Sequence, residues 1–599
     1  MVGNEGWRAW AAQQSETRRS GDIIVCCAQS RNFAHLGAYY SANQAIRVFA
    51  LEDSSREDET ILLVTHALAK WSGSTKRGTH PVRLFISHAK VEHCGISGRT
   101  LAVALKQFVE SRPAGQVFFD EVGIIGGEEF ASSLEQQIDG ATVIVLLTDK
   151  FSSRYWCGWE VATAKQKRCP VLVIDALHDG EPVSLGFLGK VPCLRWDAAT
   201  DRQRNDPAMH RKIIAGALLE TLRLMHESAR ALAVKALVFK TDPNIIATGT
   251  APEMITLPEA RAEEQTLVHP DPPLPRYELS AIRRQRRGLR LLSVTQALAG
   301  VDTNSTSPLQ GIRVALSISD APDQESNGIT ATFRDRLWAA LNLHLILAGA
   351  DVAYGGDLRT GGFTERLHDV ARAADDAGRP LRVGSIHWYV GWPIAVRLSD
   401  AEKAAIPPAF RVHPLQQPPG FDPTHVPPPH PPVNMTAADH YAWTCAMTEM
   451  RGAMARECHA RILVGGQFRA VSPWPGLLEE FETFIGKPIY LIGAFGGATR
   501  LLIDTLQGKI PSEFSSAFQD EEGKRKPLRE YYETRVGVID WAKRVQRIKS
   551  LDIDGLNNGL DRDENLHLFV TRDSTEMIAL VLRGLGKVFA RNSGLETRT

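Results

Sequence analysis

Between residues 81 and 200 the chain alternates short apolar runs with amphipathic stretches, and this rhythm limits its fold more than any other feature. VRLFIS at 82–87, QVFFD at 116–120, ATVIVLL at 141–147 and VLVI at 171–174 read as strands. Helical patterns follow at 99–109 and 128–138, and a glycine-rich loop, VGIIGG, fills 122–127. Strand and helix in alternation imply an α/β domain with a parallel sheet covered on both faces. Between the last two strands lies FSSRYWCGWEVATAKQKR, residues 151–168. Ser152 or Ser153 is a suitable helix cap, and Trp156 and Glu160 are four residues apart, so both share one helix face. That face should open at the carboxyl edge of the sheet, where α/β folds bind ligands.

A chain of 599 residues holds roughly three or four domains. Its 69 Lys+Arg balance its 69 Asp+Glu, so no overall field favours nucleic acid or a membrane surface. The eight cysteines show no repeated CxxC and no Cys/His ligand spacing, which argues against a metal site. No leader pattern and no run of about 18 apolar residues is present, so a soluble, cytoplasmic protein is expected. The reading divides the chain into an N-terminal segment of unassigned role (1–75), an α/β domain (80–200), a helical connector (201–305) and a second α/β region (306–590). The arginines at 283, 284, 286 and 287 read as a solvated helix face, since no aromatic residues interleave with them.

The order LFISHA at 84–89, FFDEVGIIGGEEF at 118–130, ATVIVLLTDKFSSRYWCGWEVATA at 141–164 and PVLVIDA at 170–176 resembles the TIR domain over about 120 residues. The resemblance implies a flavodoxin-like fold. The family's WCxxE motif matches Trp156, Cys157 and Glu160, and its BB loop, which packs neighbouring domains together, matches Gly123, Gly126 and Gly127. Many bacterial relatives carry an acidic residue soon after SHA, where this chain has Lys90, Val91 and Glu92. TIR domains of the enzymatic kind cleave the bond between nicotinamide and ribose in NAD+, so NAD+ is implied as substrate and no cofactor is needed.

The residues suit that reaction. Ordinary glycosidases use two carboxylates, one of them to protonate the leaving oxygen. Nicotinamide leaves from a pyridinium and departs neutral, so no general acid is required. A single carboxylate, Glu160, is the candidate for holding ribose hydroxyls and stabilising the positive charge that develops on the sugar. Trp156 and Phe85 are candidate aromatic walls, and Ser87, His88 and Ser153 candidate substrate contacts. Capture of the cation by water gives ADP-ribose, and capture by the substrate's own adenine gives a cyclic ADP-ribose. The plain structural roles are Trp156 as core, Glu160 as a solvated helix residue and His88 as a structural hydrogen-bonding histidine.

From residue 311 a second α/β pattern runs. IRVALSI at 312–318 reads as a strand and 330–347 as a helix. Three strand-to-glycine-to-helix junctions follow: Gly355, Gly356, Gly361 and Gly362 after 351–354; Gly465 and Gly466 after 460–464; Gly496 and Gly497 after 488–492. Glycine lets backbone amides approach an anion, and a helix N-terminus adds a favourable dipole. Neither the Walker pattern nor an intact GxGxxG occurs, which disfavours a nucleoside triphosphatase. The spacing GGQ…PGLLEEF…GKPIYLIG resembles the SLOG group of Rossmann-like nucleotide-binding domains, relatives of the cytokinin-activating "lonely guy" enzymes. It implies either a double SLOG module or one large one. The enzymes' second GG and threonine are missing around WPG at 474–476, while Glu479 and Glu480 remain, so a ligand-binding module is expected. Between its parts a proline-rich insert, 407–432, holds 11 of the 33 prolines and reads as a flexible or partner-facing loop.

The two resemblances together imply an NADase or cyclase controlled by a nucleotide-type ligand at the SLOG module or by assembly into a homo-oligomer, a tetramer or filament. Bacterial antiphage defence is the implied setting. Two alternatives stay open: a non-enzymatic TIR scaffold, or a nucleotide-processing enzyme with its site at Glu479.

Overall fold

The computed structural model describes residues 27–28, 46–77, 82–89, 97–111, 130–179, 185–259, 263–301, 308–356, 362, 364–368, 371, 381–421, 426–428, 436–470, 472–520 and 525–590. The chain divides into two compact units, one of residues 1–236 with 241–270 and the other of 237–240 with 271–599. Among the described residues no helix is long and apolar enough to cross a membrane.

In the first unit, α1 (Arg56–Arg77) precedes β1 (Leu84–His88), α2 (Gly98–Glu110), α3 (Phe130–Ile138), β2 (Thr142–Leu147), α4 (Tyr155–Gln166), β3 (Val171–Asp175) and β4 (Cys193–Arg195). The four strands pair in parallel in that order. β2 is central and buried on both faces, which is why its sequence is a continuous apolar run rather than an alternation. The expected strand at 116–120 and the glycine loop at 122–127 lie outside the described residues.

Alternation along the strands splits the core. Ile144, Leu146, Leu172 and Ile174 face one side, with Leu101 and Leu105 of α2. Val143, Val145, Val171 and Val173 face the other, with Cys157, Val161 and Ala164 of α4. The first side is closed by α5 (Pro207–Val234), started by Pro207 and by the Asp206 carboxylate, which accepts from Ala208 N at 3.0 Å. Ile213, Ile214, Ala217 and Leu218 of α5 join that core, and Arg211 bonds Glu59 of α1 at 3.0 Å. The stretch expected as a connector therefore begins as a wall of the first domain, because its apolar stripe finds the sheet. After it, β5 (Ile245–Ala247) and β6 (Gln265–His269) pair in parallel, and Glu253 holds Lys165 of α4 at 2.8 Å. The expected connector thus contributes to the first unit as far as residue 270.

The second unit opens with α6 (Arg276–Gln285), where Arg283 and Arg284 are exposed as a solvated face requires. β7 (Leu289–Ser293) and α7 (Val294–Ala299) follow. Six parallel strands then form one sheet: β8 (Arg313–Ser319), β9 (Asp351–Gly355), β10 (Ile386–Val390), β11 (Phe410–Pro414), β12 (Ala460–Gly465) and β13 (Ile489–Ile492), in spatial order β11-β10-β9-β8-β12-β13. Strands from both halves of the expected SLOG region lie in this one sheet. One face is covered by α8 (Ala331–Leu347), the other by α9 (Ala437–Glu457), α10 (Gly476–Thr483) and α11 (Gly497–Leu506). Beyond lie α12 (Lys526–Val536), α13 (Trp541–Leu551), α14 (Arg562–Val570) and α15 (Ser574–Ala590), the last packed with α8.

The proline-rich insert is only partly the free excursion expected of it. Its first part is β11, an edge strand whose register runs from Ile386↔Phe410 to Val390↔Pro414. Proline is tolerated there because an edge position and a strand end need no further N–H. Farther on, Trp443 Nε1 donates to Pro428 O at 2.9 Å and Arg397 Nη2 to Pro427 O at 2.6 Å. Extended proline stretches leave their carbonyls unpaired, and these two side chains take them up.

Candidate functional site

At the carboxyl end of β1, the buried Ser87 hydroxyl donates to Glu160 Oε2 at 2.5 Å. That length is typical of a hydroxyl bound to an ionised carboxylate, and it fixes one oxygen of a half-buried Glu160. Phe85 lies on the same strand face two residues earlier, packed on the core beneath α4. One helical turn before Glu160, Trp156 is 42% exposed, its ring edge-on to Trp159 at 5.7 Å and to Tyr155 at 5.4 Å. Tyr155 is 75% exposed. A large aromatic left in solvent beside a fixed carboxylate can stack a flat ligand, and the carboxylate can hold hydroxyls or offset a developing cation.

Other expected residues are placed differently. His88 has Nδ1 at 3.2 Å from Ile86 O, and strand alternation puts its side chain on the face away from Ser87. Neither Ser152 nor Ser153 caps α4: residues 148–154 form a turn, Ser153 Oγ donates to Lys150 O at 2.9 Å, and Arg154 holds the cap position without a side-chain capping bond. Two 4→1 turns use up these residues before the helix begins, so the cap expected from composition does not form. Cys157 is buried. Gly123, Gly126, Gly127 and Lys90, Val91 and Glu92 lie outside the described residues. Near the same sheet edge, donor atoms of Asp149, His178 and Asp179 fall within 4.8 Å of one another, the one such group among the described residues. Both Asp149 oxygens accept backbone N–H bonds, from His178 at 2.9 Å and Asp179 at 3.1 Å, so that carboxylate shapes the loop after β3.

In the second unit the neighbours of β8 lie on either side of it, with β9 reached first and β12 later, so a crevice opens at the ends of β8 and β12. Gly465, Gly466, Gly496 and Gly497 line it, all with positive φ, from 65° to 99°. A Cβ on Gly497 would lie 2.2 Å from Gly466 O, so two chain segments meet there with no room for a side chain. The other glycines serve packing. A Cβ on Gly355 would lie 2.6 Å from Met450 Cε, and one on Gly356 3.0 Å from Thr364 Oγ1. Gly361 lies outside the described residues, and Gly362 is half-buried before the turn of helix at 364–368.

Glu479 belongs to a buried charge network behind that crevice. Its carboxylate accepts from Thr448 Oγ1 at 2.5 Å and Trp474 Nε1 at 3.2 Å, and it pairs with Arg451. Next to it Glu480 pairs with Arg461 at 2.6 Å and Arg451 at 3.5 Å. Burial pushes the Glu480 carboxyl up, but Arg461 and Arg451 overcome it and hold it below the usual carboxylate range. Burial works against the Arg451 charge too, and the two glutamates raise its pKa regardless. Neither arginine figures among the expected residues. The available signal was Arg461, a charge inside the otherwise apolar run ARILVG at 460–465; Arg451 lies in the mixed stretch MTEMRGAM at 447–454 and had none. Glu479 also borders a cavity of about 420 Å³ with Trp474, Tyr532, Asp540 and Arg544, where Arg544 lies over Trp474 at 4.7 Å and bonds Glu482.

Residues 308–568 match the family model described as SLOG cluster2. The match runs from the lead-in to β8 into α14 and supports a SLOG module in the second unit, whose parallel α/β sheet is compatible with a Rossmann-like fold. Among curated proteins and among solved structures, nothing matches the chain.

Proposed function

We propose that the first unit is a TIR domain that cleaves the nicotinamide–ribose bond of NAD+, and that the SLOG module reads a nucleotide-type ligand and controls this activity through homo-oligomer assembly. The observation that carries the reading is the Ser87–Glu160 bond at 2.5 Å beside an exposed Trp156. The serine orients the carboxylate before substrate arrives, so little reorganisation is needed as positive charge grows on the ribose. Trp156 offers its face to the nicotinamide or the ribose. The departing ring is neutral, which accounts for the single acid. Water then yields ADP-ribose, or the adenine closes a cyclic product.

The test is incubation of the full-length chain with NAD+, with products separated by chromatography and weighed by mass spectrometry. Glu160→Gln should abolish nicotinamide release, while Glu135→Gln, on an exposed ion pair with Lys167, should leave it unchanged. Nicotinamide release that survives Glu160→Gln would sink the proposal. In cells, restriction of phage growth should depend on Glu160 in the same way.

The exposed Tyr155, Trp156 and Phe187 also suit a second reading, a scaffold that recruits other TIR domains through an aromatic surface. A chain without NAD+ turnover whose self-association depends on Tyr155 would favour it.

A further inference from the structure

The glycine crevice of the second unit is already filled by an anion that the protein itself supplies. Asp323 sits in the loop that joins β8 to α8, far from α11 in sequence. Its Oδ1 accepts from Gly497 N, the first amide of α11, at 2.8 Å. The carboxylate nests against Gly496 so closely that a Cβ there would lie 2.4 and 2.5 Å from its two oxygens. Asn327 Nδ2 steadies Oδ2 at 3.2 Å. The first amides of a helix have no intrahelical partner, and they and the helix dipole favour a negative charge. Ala498 N is taken by Gly466 O at 3.0 Å, so Gly497 N is the amide that Asp323 claims.

A second observation points to a ligand at the same turn. Thr499, in the first turn of α11, is fully buried, yet its hydroxyl oxygen has no hydrogen-bond partner among the described residues. A buried hydroxyl left unpaired is costly, and native chains rarely keep one without a use. A tetrahedral anion with several acceptor oxygens would pair with it as well as with Gly497 N.

The loop is bonded mainly within itself. Its internal bonds are short-range: Ser326 Oγ to Asp323 O at 2.7 Å, Asn327 N to Asp323 O at 3.0 Å and Ile329 N to Gln324 O at 3.1 Å. Its base is tied down by the ion pair of Asp320 with Arg334 and by Gln467 Nε2 on Asp320 O at 3.0 Å. At its far end Thr330 caps α8, and Phe333 of α8 stacks on Phe495, just before the crevice glycines, at 5.7 Å. A shift of Asp323 would therefore be felt by α8.

We propose that the Asp323 carboxylate is a resident anion that holds the glycine crevice closed, and that the module binds a phosphate-bearing ligand only when Asp323 swings out and a phosphate oxygen takes the N–H of Gly497. This rests on the nucleotide reading of the SLOG module. Two like charges cannot share one amide, so ligand and carboxylate compete, and the ligand's apparent affinity falls by the fraction of chains in the open state. Ligand entry and loop release are then one event, which gives the module a way to signal.

The experiment is calorimetric titration of the full-length chain with inorganic pyrophosphate, comparing wild type, Asp323→Ala and Asp323→Asn. Asp323→Ala should bind at least about tenfold more tightly than wild type. Asp323→Asn keeps the shape and one acceptor but not the charge, and should fall between the two. Circular dichroism checks that each variant is folded, and pyrophosphate should raise the melting temperature of Asp323→Ala more than that of wild type. Equal affinity in all three overturns the gate while leaving an anion-binding crevice in place. Binding by none of them overturns the gate and the nucleotide reading together.

Discussion

Arg461 is 1% exposed, and its guanidinium meets Glu480 at 2.6 Å, Ser317 Oγ at 2.9 Å and the Phe484 ring at 4.9 Å. Arg461→Met keeps much of the stem and removes the charge. Glu480 would then be left buried with Ser317 and, at 3.5 Å, Arg451 as its remaining arginine. Removing one partner of a buried pair costs about 3–5 kcal/mol, because the survivor keeps its desolvation penalty. For a unit of this size that corresponds to a fall of roughly 4–7 °C in melting temperature. Replacing both partners, Arg461→Met with Glu480→Leu, removes the stranded charge and should recover most of the loss. Acid dependence gives an independent sign. The Glu480 carboxyl is held below its ordinary value by the arginines, so its contribution is present above the unfolded pKa and lost as pH falls through the folded one. Without Arg461 the folded pKa moves back up toward or past the unfolded one, so this acid-linked loss of stability should shrink. The assay is thermal unfolding of the full chain by calorimetry and far-UV circular dichroism over a pH series. A single-variant cost below about 1 kcal/mol, or a double variant no more stable than the single, would refute the argument.

Other consequences follow from the same geometry. Burial, then Arg313, pushes the His387 pKa down to about 4. An unfolded histidine takes up its proton near 6.5, so stability should fall as pH drops from there toward 4, by at most about 3 kcal/mol. Arg313, Asp351, Arg411 and His413 face that ring. His387→Gln should flatten this acid limb, and an unchanged slope in urea titrations would count against it. Gly497→Ala should cost about 3 kcal/mol or more, because φ is +65° and the new Cβ would meet Gly466 O at 2.2 Å. A melting temperature equal to wild type would contradict it. Asp206→Ala should remove the cap of α5 for about 1 kcal/mol, read as an earlier melting of the first unit.

What the sequence revealed depended on how local the signal was. The strands at 141–147, 312–318 and 460–464 are mainly apolar, so their runs of Val, Ile, Ala and Leu exposed them. β10 escaped notice because IHWYV carries His387 and Trp388, whose polar atoms find partners in His413 and Gly356 only after folding. β11 was hidden by the prolines around it. The Trp156–Glu160 spacing was readable as helix geometry, and Ser87 could be matched to it by its place at a strand end. Arg451 and Asp323 were not readable, and Arg461 showed only as a charge inside an apolar run. Each is justified by a partner distant along the chain, and nothing local marks a carboxylate that will settle on a glycine 174 positions later.

The long helix α5 sets a practical limit on how the enzyme candidate can be dissected. A cut after residue 200, where the TIR resemblance ends, would bare Ile144, Leu146, Leu172 and Ile174, which Ile213, Ala217 and Leu218 otherwise keep dry. Such a fragment would emerge sticky and prone to precipitate, and its silence toward NAD+ would say nothing about Glu160. A fragment carried through Pro270 keeps that lining, so its silence would report on the missing second unit rather than on a bared core.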